Sequence, residues 1–322
     1  MKEQGDHHSP LAAVTGASGF IGRHLVRALN DAGWRTRLLL RREPQERLWT
    51  GLLPQVVAGD MNDTAALERL VSGADAVIHV AGLIKAARRA QFFDVNSAAS
   101  AKLAGAVKRL APDAHFVLLS SLAAREPLLS DYAASKHAGE IAVLDILGPR
   151  ATVLRPPAVY GPGDRETLLF FKLARMRVVP ILGPENCRVA MLHVGDLSRL
   201  ITQIAAQKPS GNVVAAADGR PAGYSWPELL GCAARAVCNP SPRFVSMPQG
   251  LLGAIALVGD AARSWGVSSM LSSQKLRELR HPDWSVPRAE LAPAADWLPE
   301  FDLDTGFANA VAWYRRRGWL PN

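Results

Sequence analysis

The stretch "LAAVTGASGFIG", Leu11 to Gly22, joins a short uncharged run to a loop with glycines at 16, 19 and 22. "LAAVT" reads as a buried strand, and Ile21, Leu25, Ala28, Leu29 and Ala32 then recur at a helical period. The three glycines answer three needs: a sharp turn, close approach of backbone to a pyrophosphate, and tight packing of helix on strand. The helix N-terminus behind them offers unpaired N–H groups and the positive end of a dipole to phosphates. Strand, glycine loop and helix in this order predict a dinucleotide site at Gly16, Ser18, Gly19, Phe20, Ile21 and Gly22. A tight turn alone would leave the equal spacing of the glycines without a reason.

Outward from this loop the first half alternates apolar runs with helical patterns. "RTRLLL", "PQVVAGD", "DAVIHVAG", "HFVLLSS" and "ATVLRPP" read as the second to sixth strands. Continuous apolar strands separated by helices imply an α/β fold, a doubly wound parallel sheet covered on both faces. After Tyr160 the regularity fails: Pro and Gly punctuate "YGPGD" and "ILGPEN", and isolated strands such as "NVVAAAD" mix with helices. The expected division is a dinucleotide-binding domain over 1–160, rejoined by segments such as 189–218, and a smaller, irregular substrate domain over 161–322.

The end of the second strand reads "LLLRRE", placing Arg41 and Arg42 where NAD-preferring proteins of this architecture hold a carboxylate on the ribose hydroxyls. Guanidinium groups there would meet a 2′-phosphate, so the expected cofactor is NADP(H), with NAD(H) as the alternative. Asp60, ending the third strand, is placed to accept a hydrogen bond from the adenine amino group, and Met61 follows it in the same set.

In "SDYAASKHAGE", Ser130 to Glu140, Tyr132 and Lys136 lie four apart behind a helix cap at Ser130 or Asp131. On a helix they point the same way. Spacing alone is common for such residues and does not separate chemistry from a shared helical face.

The chain has 322 residues, 48% hydrophobic and 20% charged, enough for a sizeable core. The net charge of +8 comes mainly from arginine, dense at Arg41–Arg42, Arg88–Arg89 and Arg315–Arg317. That balance suits an anionic ligand or membrane surface; no nucleic-acid motif appears, so nucleic acid is not expected as a partner. The start lacks the apolar run of a signal peptide, and "LLGAIALVG" from Leu251 is too short to span a bilayer, so a cytoplasmic protein is expected. The alternative placement is peripheral, at the inner membrane face. Cys187, Cys232 and Cys238 form neither a disulfide framework nor a zinc pattern, and His7 and His8 sit in a polar tail; no metal is expected.

Taken in order, "TGASGFIG", "HVAG" at 79 to 82, "VN" at 95 to 96, "LLSS" at 118 to 121, Tyr132 with Lys136, and "RPPAVYGPGD" at 155 to 164 resemble the extended short-chain dehydrogenase/reductase superfamily, over nearly the whole chain. The resemblance implies a Rossmann fold and a set of roles. Tyr132 is similar to the general acid/base, Lys136 to the residue that holds the nicotinamide ribose and lowers the tyrosine pKa, and Ser121 to the hydroxyl that orients the substrate oxygen. Ser120 resembles a neighbour lining the nicotinamide site, Asn96 a support for proton relay, Ala81 and Gly82 backbone along the cofactor, and Pro156 and Val159 positions beside the carboxamide. A nearby ammonium would favour the phenolate and bring the phenol toward useful proton transfer.

The segment "SSLAAREPLLSDY" has Arg125–Glu126 where sugar-nucleotide enzymes of the superfamily often have Tyr-Gly and a longer loop. This favours hydroxysteroid-dehydrogenase-like and dihydroflavonol-reductase-like members: an NADP(H)-dependent reductase of a hydrophobic ketone, steroid-like or a long-chain keto-lipid such as an oxidised sphingoid base or ceramide. The alternative is an NAD(P)-dependent nucleotide-sugar epimerase or dehydratase. "MPQGLLGAIALVGDAARSWGVSSML" from Met247, with Trp265, Trp319 and Arg315–Arg317, would supply an apolar wall or touch an anionic membrane, against the plainer reading of a core helix with a solvated basic end. His193 and Asp196 are read as structural. A homodimer through helices beside the sheet is a further expectation of the resemblance.

Overall fold

A computed structural model describes residues 9–42, 48–264, 272–293 and 297–321. His7, His8 and Trp265 lie outside the described residues. The chain runs β1 (Leu11–Thr15), α1 (Phe20–Asp31), β2 (Arg35–Leu40), β3 (Gln55–Ala58), α2 (Thr64–Val71), β4 (Ala76–His79), α3 (Arg89–Phe93), α4 (Ala99–Leu110), β5 (His115–Leu119), α5 (Asp131–Leu147) and β6 (Ala151–Arg155). It continues through β7 (Ala158–Tyr160), α6 (Leu168–Ala174), β8 (Val178–Ile181), β9 (Arg188–Val189), β10 (Met191–His193), α7 (Val194–Ala206), β11 (Val213–Ala215) and α8 (Trp226–Ala236). The last elements are β12 (Arg243–Ser246), α9 (Gln249–Ser264), α10 (Ser273–Arg280), β13 (Asp283–Trp284) and α11 (Leu303–Arg316).

Seven strands form one parallel sheet in the order β11-β6-β5-β4-β1-β2-β3. The six strands expected from the first half are all present, and "NVVAAAD" supplies the seventh. Each residue of β1, β4 and β5 is buried, as a strand covered on both faces requires. Leu25, Val26 and Leu29 of α1 pack with Leu197, Leu200 and Ile201 of α7 on one face. Leu67 and Leu70 of α2, Leu103 and Val107 of α4, and Val143 and Leu147 of α5 cover the other. Burial of each such side chain stabilises the fold by about 1.5–3 kcal/mol.

The chain leaves β1 toward β2 and returns to the opposite side at β4, which opens a crevice at the carboxyl ends of these strands, where ligands of doubly wound folds bind. The glycine loop ends β1 at that crevice.

The smaller C-terminal part has its own core of Phe171, Leu229, Phe307, Val311 and Tyr314, around α6, α8 and α11. Trp319 belongs to it, stacked on Tyr314 with the ring planes 14° apart, and Arg317 lies over Trp313. Trp319 is half-buried in this core, while Arg316 and Arg317 beside it are exposed. Asp196 accepts from the backbone of Glu300 and Phe301 and so pins the chain entering α11 to α7, the structural role read for it. No described helix is long and apolar enough to cross a membrane.

Candidate active site

Gly16 has φ +71°, and a Cβ there would lie 2.5 Å from the backbone nitrogen of Ala81. A Cβ on Gly22 would stand 2.2 Å from the carbonyl oxygen of Gly16. Only glycine lets the loop after β1 lie this close to the segment after β4 and to its own helix. Gly19 caps α1 without a side-chain hydrogen bond, and it and Ser18 are exposed. The first N–H groups of a twelve-residue helix are thus presented at the crevice, flanked by half-buried Phe20 and Ile21. Across from them Gly82 is exposed, and a Cβ on it would be 3.3 Å from both Asn96 Oδ1 and Lys136 Nζ. This bare backbone track, from the α1 N-terminus to the lysine, suits the pyrophosphate and the nicotinamide half of a dinucleotide.

Tyr132 and Lys136 are brought to the track by α5. Ser130 is its cap, accepting from the Ala133 N–H at 3.0 Å. Lys136 is buried and its Nζ donates to the Leu119 carbonyl at 2.8 Å, which fixes the ammonium at the end of β5. Burial pulls its pKa down to about 8, against the favourable field of Glu140. Tyr132 hydrogen-bonds with Ser121, which caps the short turn that follows β5. The expected depression of the phenol pKa does not occur: burial raises it to about 12, the Ser121 bond works against the rise, and Glu278 adds to it. The phenol is a firmly protonated donor near neutral pH.

Asn96 sits in a π-helical turn over Asp94–Ala98. Its side chain accepts from the Leu83 N–H at 2.7 Å and donates to the Leu83 carbonyl and to Ser135 Oγ, each at 2.9 Å. Both amide hydrogens are engaged, and the side chain ties the Leu83 segment to α5. Ser120 Oγ donates to Glu140 at 2.5 Å, turned to that carboxylate instead of lining the cleft. Glu140, buried at 2% exposure, also takes two hydrogen bonds from Arg155, at 2.9 and 2.5 Å.

Three supporting groups were not anticipated as functional. Glu140 stands four residues beyond Lys136 on the same helical face, a carboxylate in a small-residue stretch, and that was its visible signal. His79 lies inside the quoted "HVAG"; its ring contacts Thr15 Oγ1 at 2.6 Å and Ser100 Oγ at 2.9 Å, and burial holds its pKa down at about 3, so it stays neutral beside Lys136. Glu278 comes from α10 and hydrogen-bonds the Ser130 hydroxyl, a contact no local sequence pattern announces.

The remaining expected positions lie along the ends of the strands and the turns after them. Ala81 is half-buried in the turn after β4, Pro156 is buried and Val159 half-buried past the end of β6. Asp60 is exposed and its Oδ1 closes a turn by accepting from the Asn62 N–H at 2.7 Å, while Met61 packs on the core beneath. Arg125 does not face substrate: it donates to the carbonyls of Asp283 and Ser285, so the departure at Arg125–Glu126 is a latch between the two parts of the molecule and carries little about substrate class.

Residues 12–217 match the model of the "NAD dependent epimerase/dehydratase family". A ceramide reductase of Caulobacter vibrioides is 46% identical over 97% of this chain and 96% of its own. Among solved structures, MoeE5 in complex with UDP-glucuronic acid and NAD superimposes with TM-score 0.70 at 22% identity, over 96% of this chain and 100% of its own. DesIV, a dTDP-glucose 4,6-dehydratase from Streptomyces venezuelae with NAD and TYD bound, gives 0.73 at 21%, over 97% and 99%. At these identities the solved structures attest the fold. They hold NAD, and the preference for NADP(H) read from Arg41 and Arg42 is corrected accordingly. Both arginines are exposed at the end of β2, where solvent screens a guanidinium, and a charge at a strand end does not make a phosphate pocket.

Proposed function

The chain belongs to the NAD dependent epimerase/dehydratase family, and from that premise we propose that it is an NAD(H)-dependent oxidoreductase that reduces the ketone of a long-chain lipid of the ceramide class. One observation carries the choice of substrate: 46% identity, end to end, with a ceramide reductase. Bound at the glycine track, NADH would supply a hydride to the carbonyl carbon. The residues of the chain do the rest. Tyr132 gives its phenolic proton to the carbonyl oxygen as the C=O bond becomes CH–OH, and Ser121 holds that oxygen by donating to it. Lys136, anchored by Leu119 close to the Gly82 backbone, offers N–H donors to the cofactor ribose. Asn96 and Glu140 hold these groups in register.

A second reading, nucleotide-sugar epimerisation or dehydration, is favoured by the family description and by neighbours such as MoeE5 with UDP-glucuronic acid. At the level of enzyme class these comparisons stand nearer to it than to a lipid reductase. The two differ in hydride balance, because an epimerase returns the hydride to the same molecule. Purified protein incubated with a keto-ceramide in detergent micelles and NADH should consume NADH stoichiometrically with alcohol formed. Tyr132→Phe should lower the rate by about 10²–10⁴-fold and leave NADH binding intact. Conversion of a UDP-sugar without net NADH loss, and no reaction with keto-lipid, would establish the second reading instead.

A further inference from the structure

We propose that the β8–β12 pair and the outer face of α9 form a docking surface for an anionic phospholipid membrane. This rests on the keto-lipid reading above. Between Gln249 and Ala261, the face of α9 turned away from the protein is apolar: Leu251, Ile255, Leu257 and Val258 are 43–71% exposed. Leu252 and Ala256 on the opposite face pack on Leu276 of α10. The one charged side chain in this stretch, Asp260, accepts from the Ser273 N–H at the start of α10.

The strands that lead into α9 continue the pattern. β8 and β12 pair in parallel, with Val179, Ile181 and Phe244 packed on Trp226, while Val178 and Val245 are about half exposed, as is Met176 just before them. Segments 168–181 and 239–259 contain Lys172, Arg175, Arg177 and Arg243, all exposed, and no Asp or Glu. The Arg243 N–H bonds the Arg177 carbonyl, so these cations gather at one end of the strand pair. Beside them an open depression of about 640 Å³ is lined by Arg175, Asn239 and Arg315.

Exposed apolar side chains on α9 and a cluster of cations at the far end of the β8–β12 pair, with Glu185 on Ser246 as the acid between them, match the interfacial region of an anionic bilayer, where apolar groups enter the acyl boundary and cations meet lipid phosphates. A second copy of the chain would bring the same cations face to face, which disfavours it as occupant. The placement also suits a lipid substrate, because α10, on which α9 packs, reaches the cap of α5: Gln274 accepts from the Asp131 N–H and Glu278 from Ser130. The surface is thereby joined to the helix that carries Tyr132.

The test is flotation of the full chain with vesicles of phosphatidylcholine alone or mixed with phosphatidylglycerol. Wild-type protein should float with the mixed vesicles, and at least tenfold less with phosphatidylcholine alone. Leu257→Glu with Val258→Glu should cut binding to mixed vesicles at least tenfold without moving the thermal midpoint, since both side chains point to solvent; Leu257→Ser with Val258→Ser should reduce it less. Absence of wild-type flotation, equal flotation of wild-type and the glutamate variant, or a dimer that the glutamate variant splits would overturn the proposal. Turnover of keto-ceramide in detergent micelles is read in parallel. Flotation lost with micellar turnover intact removes the surface and leaves the reaction standing; flotation intact without turnover keeps the surface and removes the reaction.

Discussion

Lys136 carries its charge in a buried position, and the groups around it decide what that does to catalysis and stability. Its pKa in the fold, about 8, lies below the free value of 10.5, so between these limits the unfolded chain binds more protons and this group makes the fold gain stability as pH rises. Lys136→Met should remove that increment: wild-type protein should gain more in urea midpoint from pH 8 to pH 10 than the variant does, and equal gains would refute the buried ammonium. Glu140 opposes the burial effect and is itself held by Arg155 and Ser120. Glu140→Gln should therefore cost about 3–5 kcal/mol by leaving Arg155 uncompensated, and shift the alkaline limb of the rate profile to lower pH, since Lys136 loses its supporting field. Tyr132 and Lys136 were legible in sequence because a helix places them together from four positions apart. Glu140 was not, because its partner Arg155 arrives on a strand fifteen residues later. Arg41 was misread because sequence displays charge but not exposure.

The strands announced themselves as apolar runs, since a parallel sheet buries both faces and leaves little room for alternation. The glycine loop was equally legible, as the spacing of Gly19 and Gly22 reports contacts with Gly16 and Ala17 inside the loop itself. A Cβ at Gly22 meets the Gly16 carbonyl at 2.2 Å and Ala17 Cα at 2.6 Å, both backbone atoms that cannot rotate aside. Gly22→Ala must push α1 off β1 and tilt its N–H groups, so NADH affinity should fall at least about tenfold, near 1.4 kcal/mol, with a lowered thermal midpoint. Nicotinamide fluorescence titration measures this, and an unchanged Kd would show that the loop does not hold the pyrophosphate. The π turn at Asp94–Ala98 could not be read locally. It exists because the Asn96 carbonyl must approach α5 so closely that a Cβ at Gly139 would stand 2.1 Å away, a condition set by two helices far apart in sequence.

At the scale of the molecule, the C-terminal part is fastened to the sheet and the catalytic helix by polar contacts and by a small apolar cluster in which Leu122 and Ala215 meet Val286, Trp284 and Leu291. Its own core around Phe171 and Phe307 is separate from the two that sandwich the sheet. The polar contacts of the junction include Arg125 on the carbonyls of Asp283 and Ser285 at 3.0 Å or less, Gln274 on the backbone of Asp131, Glu278 on Ser130, Arg277 on the Leu129 carbonyl, and Asp196 on the chain entering α11. A junction of this kind can adjust when a bulky substrate enters, while the dinucleotide track stays fixed on the sheet. Arg125→Ala removes two charge-assisted bonds, each worth about 1.5–3 kcal/mol, from the substrate side only. The expected result is a several-fold higher KM for keto-lipid, an unchanged Kd for NADH, and a lower urea midpoint. A parallel loss of NADH affinity would mean that the latch supports the sheet itself, and that substrate and cofactor sites are not mechanically separable in this fold.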